Sequence, residues 1–291
     1  MTGRSDGHNH DGDKTPLPYP KKRFGQHFLS DKNFIRKMVA AAGIVRGDRC
    51  LEIGPGRGAL TEILLEAGAE VTAIEFDADL IAYLRDRFSP TGRFVLIEKD
   101  ALKVSYIELS REAGARFKVV SNLPYNISGP LLARFIEERS AFVSLMLMLQ
   151  REVALKVCGR PSTKDYGSLS VMSQTFFDCK VAFGVPRHLF KPVPKVDSSV
   201  VAMRLLDQPR VEVIDEVFFK TVVRSAFGMR RKTLLNALSG LGIPKDGLSS
   251  AMKDCSIDPV RRGETLTLAE FSMLAKSLIK LSGGPKTPGA E

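Results

Sequence analysis

The stretch that most limits how this chain can fold is Cys50-Leu51-Glu52-Ile53-Gly54-Pro55-Gly56-Arg57-Gly58. A short apolar strand runs into a glycine-rich turn, and Leu60, Ile63, Leu64 and Leu65 continue it at helical spacing. Glycines at such a turn let the backbone bend tightly and approach a ligand, and the helix start offers unpaired N–H groups. Gly54, Gly56 and Gly58 follow a GxGxG spacing, which is not the GxGxxG of a dinucleotide site. The pattern predicts an α/β sheet whose ligands bind outside the carboxyl ends of its strands.

Three further strand ends carry suitable groups. Val71-Thr72-Ala73-Ile74 ends in Glu75, about 20 residues past the first glycine, where an acid accepts hydrogen bonds from both ribose hydroxyls of a nucleoside. Phe94-Val95-Leu96-Ile97 leads to Asp100, placed to accept from the amino group of an adenine. Glycine loop, ribose acid and adenine acid together fit S-adenosylmethionine better than NAD. The run Val119-Val120-Ser121 then delivers Asn122-Leu123-Pro124-Tyr125 to a fourth strand end. An amide oxygen and a free carbonyl there can accept both N–H groups of an exocyclic amine on a flat base. Pro124 has no N–H and stiffens the turn, and Tyr125 can stack on the base or pack beneath the site. Methyl transfer from a sulfonium needs alignment and polarisation more than acid–base chemistry.

The charge points to the partner. The 291-residue chain carries a formal net charge of +10, with a pI near 9.5, which suits a polyanion or simply a soluble basic protein. Lys22 and Arg23 lie in a basic-aromatic segment before a helix expected from about Phe34. A single helix is expected over 217–238, where Lys220, Arg224, Arg230, Arg231 and Lys232 meet no acid between Phe218 and Leu238. Such single-sign charge suits a phosphate backbone. Between two strands near 176–183 and 198–205 lies the proline-rich loop 188–197, whose Phe190 is either a buried anchor or a stacking ring for the face opposite Tyr125. Cys50, Cys158, Cys179 and Cys255 make no CxxC pair, and the histidines no cluster, so no metal is expected. No apolar run reaches the roughly 18 residues of a membrane span, and the start lacks an apolar signal region. The expectation is a reduced, soluble, cytoplasmic protein. Residues 1–20 read as a disordered tail, 21–207 as the catalytic domain, 208–281 as a helical RNA-binding domain and 282–291 as a second tail.

The motifs KKRFGQHFL, LEIGPGRGALT, SNLPYNIS, FKPVPKVDSSV and AFGMRRKTLLNAL, with Glu75 and Asp100, occur together over residues 21–281. In this combination the chain resembles the KsgA/RsmA family of small-subunit ribosomal RNA adenine dimethyltransferases. The resemblance implies a Rossmann-like class I methyltransferase sheet with a small α-helical C-terminal domain. It implies methylation of two adjacent adenosines in the loop of the 3′-terminal helix of small-subunit rRNA, by a monomer acting on an immature 30S particle. Carried over by position, His27, Leu29 (through its backbone), Gly54, Glu75, Asp100 and Asn122 would bind the cofactor, with Glu52 supporting the methionine end or the loop. Asn122, Leu123, Pro124 and Tyr125 would hold the target base. His27 departs from the asparagine of many relatives. A large-subunit (Erm-type) enzyme, a DNA adenine methyltransferase and an idle assembly factor are the rival readings. The proline loop and the basic helix favour the small-subunit family over the first.

Overall fold

A computed structural model describes residues 27–29, 31–229 and 231–282. The expected tail at 1–20 and all but Ser282 of the tail at 282–291 fall outside the described residues, as do Lys22, Arg23 and Arg230. The strands are β1 (Phe28–Leu29), β2 (Arg49–Ile53), β3 (Glu70–Glu75), β4 (Phe94–Glu98), β5 (Phe117–Asn122), β6 (Phe142–Gln150), β7 (Phe177–Val185), β8 (Phe190–Lys191) and β9 (Ser198–Leu205). The helices begin with α1 (Lys32–Ala41), α2 (Ala59–Glu66), α3 (Ala78–Phe88), α4 (Tyr106–Glu112) and α5 (Ser128–Glu137). They continue with α6 (Arg151–Val157), α7 (Ser168–Phe176), α8 (Glu216–Gly228), α9 (Leu234–Leu238), α10 (Lys245–Asp254) and α11 (Leu268–Leu281).

Seven strands form one sheet in the order β4-β3-β2-β5-β6-β9-β7. The five from β2 to β6 run parallel, and β9 runs against both β6 and β7. Side chains alternate across a strand, so a sheet covered on both faces needs two apolar sets in each strand. Leu51, Ile53, Val119, Leu145, Leu147 and Leu149 feed one core, and Cys50, Val120, Met146 and Met148 feed the other. The second core is closed by Ile35, Met38 and Val39 of α1 with Leu60, Ile63 and Leu64 of α2. The first takes Leu131, Leu132, Phe135 and Ile136 of α5, together with Phe219, Val222 and Phe271 from the C-terminal helices. Successive parallel strands wind outward from the β2–β5 pair in both directions. That pair is the topological switch point, where a crevice opens at the strand ends.

Two expectations change here. The helix expected over 217–238 is two, because the chain leaves the helix after Gly228 and restarts at Leu234. The amides of Leu234 and Leu235 donate to the carbonyls of Arg261 and Pro259, contacts that an unbroken helix would forbid. Lys220 also does not face a single-sign surface, since its ammonium pairs with Glu137 of α5. Arg224, Arg231 and Lys232 are exposed.

Candidate active site

The glycine turn sits between β2 and α2 with Gly54 and Gly56 at φ +63° and +57°. A Cβ on Gly54 would stand 3.3 Å from Pro124 Cγ, and one on Gly56 would stand 2.7 Å from Phe28 Cε1. Bare glycine thus lets the end of β2 touch both the Asn122–Tyr125 turn and the strand β1. These three segments are far apart in the chain, yet they wall one cavity of about 440 Å³.

Each strand end contributes to that wall. Glu75 closes β3; its Oε1 accepts from the amides of Phe76 at 2.8 Å and Asp77 at 2.9 Å. Burial raises its pKa despite those bonds. Asp100, two residues past β4, accepts from the Leu102 amide at 2.9 Å and lines the cavity. Asn122 ends β5, and its Nδ2 donates to the His27 carbonyl at 3.2 Å. Its Oδ1 is buried and has no hydrogen-bond partner. A buried acceptor without a donor costs about 1–3 kcal/mol, so such a group is kept where a ligand supplies the N–H. Leu123 is buried, and Pro124 and Tyr125 complete the turn.

His27, Leu29, Gly54, Glu75, Asp100 and Asn122–Tyr125 all line this cavity. The structure therefore brings together every residue expected at the cofactor and the base, with one correction. Phe190 is fully buried and does not line the cavity. It pairs with Leu29 in the antiparallel β1–β8 ribbon, and its ring is buried in the second core. The ring against Tyr125 is instead that of His27, with centroids 5.4 Å apart and planes inclined by 28°. His27 Nδ1 donates to the Pro192 carbonyl at 2.7 Å, so the imidazole ties the proline-rich loop to the site.

Two cavity residues carry more than the motif suggested. Phe76 is 63% exposed and lines the cavity directly after Glu75. An aromatic residue following a strand-end acid was the available signal for it. Glu52 is buried in β2 and accepts from Thr61 Oγ1 of α2 at 2.6 Å. Burial pushes its pKa from 4.5 up to about 8, with the nearby Glu75 charge adding to the rise. Between these values the folded chain holds a proton that the unfolded chain has released. Stability from this group is full below pH 4.5 and is lost as pH rises through about 8. Unfolding titrations will show that slope, at most about 1.4 kcal/mol per pH unit, and Glu52→Gln will remove it. An identical slope in the variant would show that Glu52 is not its source.

The residues suit an adenosyl sulfonium: a glycine turn without Cβ atoms, an acid at the end of β3, a second beyond β4, and apolar walls from Ile53, Leu80 and Leu102. No group of three or more His, Cys, Asp or Glu among the described residues could hold a metal ion. This sheet order with its one reversed strand, joined to that set of strand ends, defines a class I S-adenosylmethionine-dependent methyltransferase.

The chain belongs to the ribosomal RNA adenine dimethylase family, whose model matches residues 19–280. It is 44% identical over 266 residues to the ribosomal RNA small subunit methyltransferase A of Geobacter metallireducens, covering 90% of this chain and 97% of the relative. The protein of the same name from Syntrophotalea carbinolica is 45% identical over 257 residues, covering 88% and 96%. Among solved structures, a dimethyladenosine transferase from Plasmodium falciparum superposes with a TM-score of 0.75 at 25% identity, over 88% of this chain and 98% of that one. The 23S rRNA methyltransferase ErmE gives a TM-score of 0.65 at 25% identity, over 86% and 99%.

Proposed function

We propose that this chain methylates the N6 amines of two adjacent adenosines in the loop of the 3′-terminal helix of small-subunit rRNA. It does so as a monomer, on an immature 30S particle, in the cytoplasm. The observation that carries the reading is the buried, unpartnered Oδ1 of Asn122 in the wall of the cavity at the strand ends. The small-subunit choice is supported by the two relatives above at 44–45% identity, against 25% for the large-subunit enzyme.

When bound, S-adenosylmethionine supplies a methyl carbon activated by a positively charged sulfur, which departs as a neutral thioether. Glu75 would accept the ribose hydroxyls, and Asp100 the adenine amine of the cofactor. Gly54 and the backbones of His27 and Leu29 would lie against it, with Asn122 bordering the reactive end. Glu52 and Thr61 hold the glycine turn to α2. The target amine is a poor nucleophile because its lone pair is delocalised into the ring. Acceptance of its two N–H groups by Asn122 Oδ1 and the Leu123 carbonyl favours a pyramidal nitrogen with a localised pair. With the donor bound, that pair would be aimed at its methyl carbon, and the methylated nitrogen would lose its proton to water. Tyr125 stacks on the base and holds it in line.

Residues 208–281 serve in this reading as the RNA-binding domain, with Arg224, Arg231 and Lys232 toward the phosphates. Arg231→Glu with Lys232→Glu will weaken RNA binding and flatten its dependence on salt by about one to two phosphate equivalents. An unchanged salt slope would assign those side chains to solvent alone. The function itself is tested with labelled cofactor on purified immature subunits of both sizes. Label is expected in the small-subunit RNA, and label only in large-subunit RNA would contradict the reading.

A further inference from the structure

We propose that Ser198 is a positioning residue for methyl transfer: it fixes the ring of Tyr125, and with it the plane on which the target adenine stacks. The inference rests on the stacking role given to Tyr125 above.

The geometry begins with the reversed strand. Because β9 runs against β6, its first residue lies at the sheet edge where the parallel strands end. Ser198 pairs there with Gln150, the last residue of β6, and with Val185, the last of β7. The sheet thus carries a buried hydroxyl to Tyr125, which lines the cavity. Ser198 is 1% exposed, and its Oγ lies 2.6 Å from the Tyr125 hydroxyl. That distance is at the short end for paired hydroxyls.

The serine is itself held on a fixed platform. The carbonyl of the preceding residue, Asp197, accepts from the Arg151 amide at 3.0 Å, at the start of α6. Its Oδ1 accepts from the Arg187 amide at 3.0 Å, and Arg187 Nη1 donates to the Lys195 carbonyl at 3.1 Å. Tyr125 is therefore gripped at two points. Its hydroxyl is tied to Ser198, and its ring lies against His27, itself bonded to Pro192. The first grip comes from the flank of the proline-rich loop and the second from a ring bonded to that loop, which gives the loop a function without Phe190 reaching the cavity. A phenol tethered only through Cβ can swing about two torsions, and the hydroxyl bond at the far end removes that freedom. Burial raises the Tyr125 pKa, in keeping with a neutral hydroxyl used for bonding rather than proton transfer.

The test is a double-mutant cycle on the full-length protein with immature small subunits. Ser198→Ala and Tyr125→Phe are each expected to lower kcat about tenfold, within the up to ~10²-fold cost of misplacing a bound group. The double variant should be no slower than either single one, because both remove the same bond. Cofactor Kd should stay at the wild-type value, and the thermal midpoint should fall only by the few degrees that one lost hydroxyl bond costs. Additive losses, an unaltered kcat in Ser198→Ala, or a loss that tracks cofactor affinity would each overturn the proposal. A substrate RNA carrying 2-aminopurine at the target position reads stacking directly. Quenching by the wild type and weaker quenching by Ser198→Ala support it. Equal quenching by both overturns the part given to Ser198, whereas no quenching by the wild type overturns the stacking role of Tyr125 itself.

Discussion

Asn122→Ala will lower methyl transfer by about 10³-fold, in the range seen when one preorganised hydrogen-bonding group aimed at a reacting centre is removed. Two losses combine in that variant. The proposed acceptor for the target amine disappears, so the lone pair would stay delocalised in the ring. The Nδ2 bond to the His27 carbonyl also goes, which frees one anchor of β1 beside the cavity. The second loss is worth only about 1 kcal/mol of stability, so the protein should still fold. RNA binding should be nearly unchanged, since the basic side chains proposed for it lie elsewhere. Single-turnover assays with saturating RNA separate the two effects. Turnover within twofold of wild type would remove Asn122 from the chemistry.

Glu75→Ala is expected to weaken S-adenosylmethionine binding about 10²–10⁴-fold. Two hydrogen bonds to a charged acceptor are worth roughly 1.5–3 kcal/mol each, and both proposed ribose contacts depend on this carboxylate. The variant also strips the acceptor from the amides of Phe76 and Asp77, which loosens the turn that carries the exposed Phe76 ring. Because burial raises the pKa of Glu75, the charged form is lost sooner than usual as pH falls. Wild-type affinity should therefore decline on acidification, and the variant should lack that part of the decline. Calorimetric titration across pH measures both. Equal affinity in the two proteins would place the ribose contact on another group.

Much of this site was legible because each piece is local. Gly54, Glu75, Asp100 and Asn122 each lie at or just past the end of a strand marked by its own apolar run, and parallel strands leave such ends at one edge of a sheet. What escaped the sequence is long-range pairing. The β1–β8 ribbon is two residues per strand, too short to show alternation, yet it decides that Phe190 is buried. Lys220 meets Glu137 across 83 positions, which no charge count within one helix can reveal. The break after Gly228 was masked because apolar periodicity resumes at Leu234, and only the carbonyls of Pro259 and Arg261 explain it. Tyr125 and Ser198 are 73 residues apart, joined by a strand whose reversed direction has no local signature.

The measurement that bears most directly on the central claim is mass mapping of methylated nucleotides in small-subunit RNA from immature particles treated with wild-type protein and S-adenosylmethionine. The proposed function, with Asn122 and Leu123 as acceptors for both N–H groups, predicts N6,N6-dimethyladenosine at two adjacent positions in the loop of the 3′-terminal helix. Methyl groups on another base, or on adenosines of the large-subunit RNA alone, would contradict it.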